Sequence, residues 1–170
     1  MVHRQWDNQT MNEYGATLIS QALLREVAAE AACNPRRRKN RNLHDSDHAA
    51  AHRLFNALEP DSYVRAHRHL EASKNETIIA LRGRFGIVLF DDTGAVVKHV
   101  EIAPEGTNMG IDIAHGTWHT AFALEPGSVF FEAKAGPYVP LVEAEKAAWA
   151  PAEGAPDAMA YLARLRALFA

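Results

Sequence analysis

A mainly β domain, a small β-barrel with a helix at each end, is the fold that the 170-residue sequence predicts. Three observations carry this expectation. Between residues 60 and 140, short segments rich in Val, Ile, Phe and Thr alternate with turns such as Arg82-Gly83, Asp91-Asp92-Thr93-Gly94 and Glu125-Pro126-Gly127. Many short strands at even spacing with Gly and Pro punctuation favour a barrel or sandwich. Before this region, Ile19, Leu23 and Val27 fall on one helical stripe. After it, Ala158, Tyr161, Leu162 and Leu165 follow the i, i+3, i+4, i+7 pattern of an amphipathic helix, with Leu168 beyond them.

Each element follows in order. Residues 1–15 are polar and irregular and read as a flexible lead. Residues 16–59 read as a helical segment and a basic linker. The first helix spans 16–33 and stops at Asn34-Pro35, because the residue before proline is driven out of the α region. The linker carries the run Arg36 to Arg41, and residues 49–58 read as a second, shorter helical or irregular piece. Within the barrel, 60–140, strands are expected around 63–69, 76–82, 84–90, 95–102, 109–113, 117–124 and 128–134. A proline-rich loop and the last helix fill 141–170, with Arg164 and Arg166 placed to favour the negative end of that helix.

Composition narrows the function. Hydrophobic residues make up 48% and charged residues 23%, the balance of a globular domain. A formal charge of −3 gives no general attraction to nucleic acid. Cys33 is the single cysteine, so no intramolecular disulfide forms, and a cytoplasmic protein with neither signal peptide nor membrane span is expected.

His67 and His69 stand two apart in the run from Tyr63 to His69. On a strand, residues i and i+2 share a face, so the two imidazoles lie side by side. Glu76 opens the next β-like segment, and His119 follows a glycine turn about fifty residues downstream. Three imidazoles and one carboxylate suit one divalent ion such as Zn, Fe, Mn, Co or Ni, and they leave coordination positions open. Tyr63 and Arg65 share the parity of the pair and are expected to face a ligand, which Arg65 would favour as an anion. Glu132 lies among bulky apolar residues, and a buried carboxylate there is a candidate base. His44, just before the barrel, is a second candidate base, and Arg38 in the basic run a candidate ligand-binding group. That run could bind a phosphate or sugar nucleotide through bidentate guanidinium contacts, but reads rather as a solvated linker or as arginines pairing with acidic residues of a partner subunit.

The pattern Asp61-x5-His67-x-His69-x6-Glu76-x6-Gly83, with Ala114-x-Gly116-x2-His119, resembles the two motifs of the cupins. It departs from them in the residues at Asp61, Ala114 and Ala123 and in a longer gap before Glu76, none of which removes a ligand. A wider set resembles the WbuC family of cupin-fold metalloproteins. It comprises Arg36-x-Arg38-x-Asn40-x-Asn42-x-His44, Leu54 to Pro60, Tyr63 to His69, Trp118-His119, Ala123 to Val129 and Gly136-Pro137-Tyr138. This resemblance implies a cupin-type barrel, or jelly roll, with a metal site, in the setting of bacterial surface-polysaccharide (O-antigen) synthesis. Two functions are expected to compete. One is a metal-dependent enzyme on a sugar or sugar-nucleotide, as an isomerase or epimerase with the metal as Lewis acid, or as an iron-dependent dioxygenase. The other is a non-catalytic ligand-binding or sensory protein. The partners expected are a small anionic ligand or sugar derivative and a second copy of the chain, as a homodimer through exposed sheet edges.

Overall fold

The computed structural model describes residues 15–170, so the lead at 1–14 lies outside the described residues. Helix α1 (Gln21–Cys33) is followed by strands β1 (Arg38–Asn42), β2 (Ala51–Leu58), β3 (Glu76–Arg82) and β4 (Phe85–Phe90). Then come β5 (Val96–Ile102), β6 (Gly110–Ile113), β7 (Trp118–Ala123), β8 (Ser128–Ala135) and helix α2 (Ala158–Arg166). The strands form a five-stranded sheet in the order β1-β2-β8-β3-β6 and a three-stranded sheet in the order β5-β4-β7, and every pairing is antiparallel. These facing sheets make the mainly β jelly roll with a helix at each end.

Strand parity sorts the side chains. Phe85 and Ile87 of β4, Ala121 and Ala123 of β7, Ile78 and Ala80 of β3 and Phe130 of β8 meet between the sheets. The intervening Val88, Phe90 and Phe122 face outward and are covered by Leu162 and Leu165 of α2 with Ala147 and Ala150. On the other side, Phe55, Ala57 and Val129 leave the large sheet outward and receive Leu23, Leu24, Val27 and Ala31 of α1. Ser20 caps α1, its hydroxyl accepting from Leu23 N at 3.2 Å, so the helix starts at Gln21 rather than at residue 16.

Three segments differ from the sequence reading. Residues 51–58 are strand β2, not a helix. This strand is covered by α1 on one face and by the barrel interior on the other, so Leu54 to Leu58 are all buried and show no alternation. The basic linker contains strand β1, whose Arg41 bonds Glu26 and Glu30 of α1 while Lys39 lies 3.6 Å from Glu30. Acidic residues of the same chain therefore neutralise this part of the run. Residues 63–69 are extended, but only His67 enters a β-bridge, because the segment leaves the large sheet after β2, crosses to the edge of the small sheet at β7 and returns to the large sheet as β3.

Gly83 turns β3 of the large sheet into β4 of the small one at φ +72°, and an added Cβ would meet the side chain and backbone of Ser128. The Ser128 hydroxyl is fully buried, donating to Glu125 O at 2.8 Å and accepting from Arg84 N at 3.2 Å, so it has no room to retreat. Gly83→Ala is therefore expected to lower the unfolding free energy by about 2 kcal/mol through left-handed strain and this clash. Urea denaturation beside the wild type checks the value.

Candidate metal centre

Four elements bring the site together. His119 lies on the inward parity of β7, between Trp118 and Thr120. The crossing segment is pinned beside it, with His67 N donating to His119 O and His119 N donating to His67 O, both at 2.9 Å. Gly116 N reaches His69 O at 2.6 Å, which fixes the second histidine one step further along. Glu76 opens β3 on the same parity as Ile78 and Ala80, so its carboxylate enters the barrel interior. One side-chain donor atom from each of His67, His69, Glu76 and His119 lies within 4.8 Å of all the others.

The unused atoms face one another. His67 Nδ1 lies 3.1 Å from Arg65 O and His119 Nδ1 lies 2.8 Å from Thr117 O. With Nδ1–H donated to those carbonyls, each ring turns the bare lone pair of Nε2 inward, the tautomer that metal-bound imidazoles take. His119 Nε2 is buried with no hydrogen-bond partner. Buried polar atoms are seldom left so, and a cation would satisfy this one. His69 Nε2 lies 3.0 Å from Glu76 Oε2, a contact between two ligand-type atoms that only a proton or a metal ion can bridge. The donor set therefore fits a divalent ion of the Zn, Fe, Mn, Co or Ni class.

Electrostatics prepare the ligands. Burial and the neighbouring His119 push His67 down to about 3, and burial lowers His119 against the pull of Glu76. Burial alone would raise the Glu76 carboxyl, but the His69 bond and the charges of Lys134 and His119 hold it below the usual carboxylate range. At neutral pH His67 and His119 are thus neutral imidazoles and Glu76 an ionised carboxylate, the forms in which these groups bind metal.

A pocket of about 160 Å³ opens over His67, Glu76 and His119. Its polar wall is Arg38 and Asn40 of β1, Asn56 of β2, and Glu132 and Lys134 of β8, while Val64, Ile78 and Phe130 form the apolar wall. Lys134 Nζ lies 2.6 Å from Glu132 and 3.8 Å from Glu76, and Asn56 Nδ2 donates to Glu132 Oε2 at 2.7 Å. Burial and the charge of Glu76 raise the Glu132 carboxyl. The sequence reading assigns Lys134 no role, and Asn40 and Asn56 enter it only through the family resemblance. The signal for Lys134 was present, since it shares strand parity with Glu132.

The remaining residues of the sequence reading are placed as follows. Arg38 lines the pocket, but its guanidinium bonds Tyr63 O at 2.9 Å and Glu153 at 2.6 Å. Hydrogen bonds from Arg36 and Arg38 hold the Glu153 carboxyl at about 2. Tyr63 turns the other way, bonding Pro151 O at 2.8 Å among residues packed on α2. Arg65 donates to Ala147 O at 2.7 Å and does not line the pocket. Strand parity fails here because the crossing segment belongs to no ladder, and Val64, not Arg65, faces the metal residues. His44 lies outside the inner pocket, in a second cavity described below.

The profile of a family described as a domain of unknown function (DUF6016) matches residues 19–102, which hold His67, His69 and Glu76 but end before His119. The barrel is a jelly roll of paired antiparallel sheets with the ligand group on their inner wall. Among solved structures, KdgF from Halomonas sp. is 17% identical with a TM-score of 0.48, over 63% of this chain and 85% of that one. SPY1581 of Streptococcus pyogenes, a protein of unknown function, is 13% identical with a TM-score of 0.46, over 62% and 80%. A variant of oxalate decarboxylase from Bacillus subtilis is 16% identical with a TM-score of 0.42, over 57% of this chain and 23% of that one. No curated protein matches the chain. No helix among the described residues is long and apolar enough to cross a membrane.

Two outcomes are expected. Replacing His67 and His69 by alanine abolishes metal retention while the circular dichroism of the barrel persists; full metal occupancy would contradict the assignment. The second concerns pH. An unfolded histidine titrates near ~6.5, whereas folded His67 stays neutral to about 3, so between these values the unfolded chain binds more protons. The stability of the metal-free protein is therefore complete above ~6.5 and falls as pH drops towards 3. The lowered His119 adds in the same direction. Urea midpoints at about pH 7 and about pH 4 measure the fall, and His67→Gln flattens it.

Proposed function

We propose that this chain is a divalent-metal-dependent protein that takes a small anionic, sugar-derived ligand in its barrel and acts on it. The observation that carries the reading is the convergence of His67, His69, Glu76 and His119, three of which line the floor of a pocket in the barrel. A divalent ion held there would supply Lewis acidity to a ligand oxygen. The charges around the pocket favour an anion. Glu76 is the one ionised ligand, Lys134 and Glu132 pair with each other, and Arg38 is paired with Glu153. A doubly charged cation with one carboxylate ligand leaves the floor with a net positive charge in a low-dielectric surround.

The chain's own groups divide the remaining work. Lys134 stands beside Glu76 and Glu132 at the pocket wall, where its ammonium can donate to a ligand carboxylate or phosphate. Asn56 orients the Glu132 carboxylate through Oε2. Glu132 is the carboxylate facing the ligand space outside the ligand group, and with its raised affinity for protons it can take or return a proton at a carbon next to a carbonyl. This arrangement supports an isomerase or epimerase more than a passive binder. The resemblance of the sequence to cupin-fold proteins of surface-polysaccharide gene clusters supports a sugar derivative as the substrate.

The cobalt-substituted protein tests the reading. Acetate and inorganic phosphate are expected to shift its visible absorption by entering the metal's shell, and glycerol at the same concentration is not. Lys134→Met weakens acetate binding by about tenfold, the scale of one charge-assisted hydrogen bond, with metal content unchanged. Equal responses to acetate and glycerol would overturn the anion preference.

A further inference from the structure

Beside the metal pocket lies a larger cavity of about 570 Å³, and the two share Asn40, Glu132 and Lys134 as a common wall. We infer that this outer cavity is a subsite for a neutral, polyhydroxylated group attached to the anionic end that enters the metal pocket. The inference rests on the anion-binding reading above and adds the rest of the ligand to it.

Away from the shared wall, the cations of the outer cavity are already paired, and Asp47 adds a carboxylate. Lys39 lies 3.6 Å from Glu30, and Arg41 bonds Glu26 and Glu30. An anionic group would have to break one of these pairs. The neutral polar groups are in the opposite state. The side-chain amides of Asn40 and Asn42 and the Tyr138 hydroxyl make no hydrogen bond within the described residues. His44 and His52 are both buried and stack at 4.0 Å between ring centroids with their planes 21° apart. His44 spends Nδ1 on Arg53, and His52 spends Nε2 on Asp47 O at 3.1 Å, so each keeps one ring nitrogen for a further partner. Burial and the adjacent His44 lower His52, which keeps that ring neutral.

Amides, the neutral His52 imidazole and a phenol both donate and accept, which is what vicinal hydroxyl groups require. Leu54 and the flat imidazole stack add apolar surface for the carbon face of a ring. The size agrees as well. The inner pocket has room for one small group, whereas about 570 Å³ lies within the range of sites that enclose a whole small molecule.

Calorimetry on the metal-loaded protein tests this with three probes: acetate, gluconate and lactobionate. Acetate reaches the inner pocket alone, and lactobionate carries a galactosyl ring beyond its carboxylate end. Lactobionate is expected to bind about tenfold or more tighter than acetate, the gain of one or two net hydrogen bonds, with gluconate between them. Asn42→Ala and Tyr138→Phe each remove part of that gain and leave the acetate affinity and metal content as they were. Equal affinities for acetate and lactobionate would overturn the subsite while the anion-binding reading stands. Loss of acetate and lactobionate binding in equal measure in both variants would also overturn it. Binding of none of the three by the metal-loaded wild type would overturn the anion-binding reading itself.

Discussion

Two backbone hydrogen bonds hold the functional end of this barrel together. His67 and His119 exchange N–H and carbonyl groups at 2.9 Å each way, and they do so outside any regular ladder. This one bridge ties the segment between β2 and β3 of the large sheet to β7 of the small sheet. It brings the two rings to 4.5 Å between centroids. With Nδ1 of each ring turned to a backbone carbonyl, the inward direction of Nε2 follows. The large sheet contributes Glu76 and the Glu132–Lys134 pair from the opposite wall. The site therefore exists only where both sheets and the crossing segment are in register.

The arrangement is expensive for an apolar core. Two carboxylates, a lysine and three imidazoles are drawn into the barrel, and each charged group would cost several kcal/mol if it were left alone. The chain offsets this by pairing Lys134 with Glu132 and bonding Asn56 to the same carboxylate. His119 Nε2 remains without a partner. A cation among the four residues completes this balance, so binding it would also stabilise the fold.

Much of this was legible in the sequence. The turn spacing announced the barrel, and the His-x-His pair with Glu76 and His119 announced a ligand group, because both signals are local in the chain. The misreadings share one cause, which is that context outside the segment decides the outcome. Strand β2 is covered on both faces, so its pattern carries no period. The basic run becomes β1 because α1 supplies Glu26 and Glu30 against Arg41. Parity from His67 back to Arg65 fails because residues 63–69 pair at one position only, and Arg65 is taken by the Ala147 carbonyl. The outer cavity, built from β1, β2, β8 and the loops beside them, has no signature in any single stretch.

The measurement that tests the central claim most directly is X-ray absorption at the edge of the metal that copurifies with the protein, together with its stoichiometry. The account predicts one divalent ion per chain, with a shell of nitrogen and oxygen donors and the outer-shell scattering of imidazole rings. A bound ion whose spectrum lacks imidazole scattering, or a protein that takes up no divalent metal at neutral pH, would contradict it.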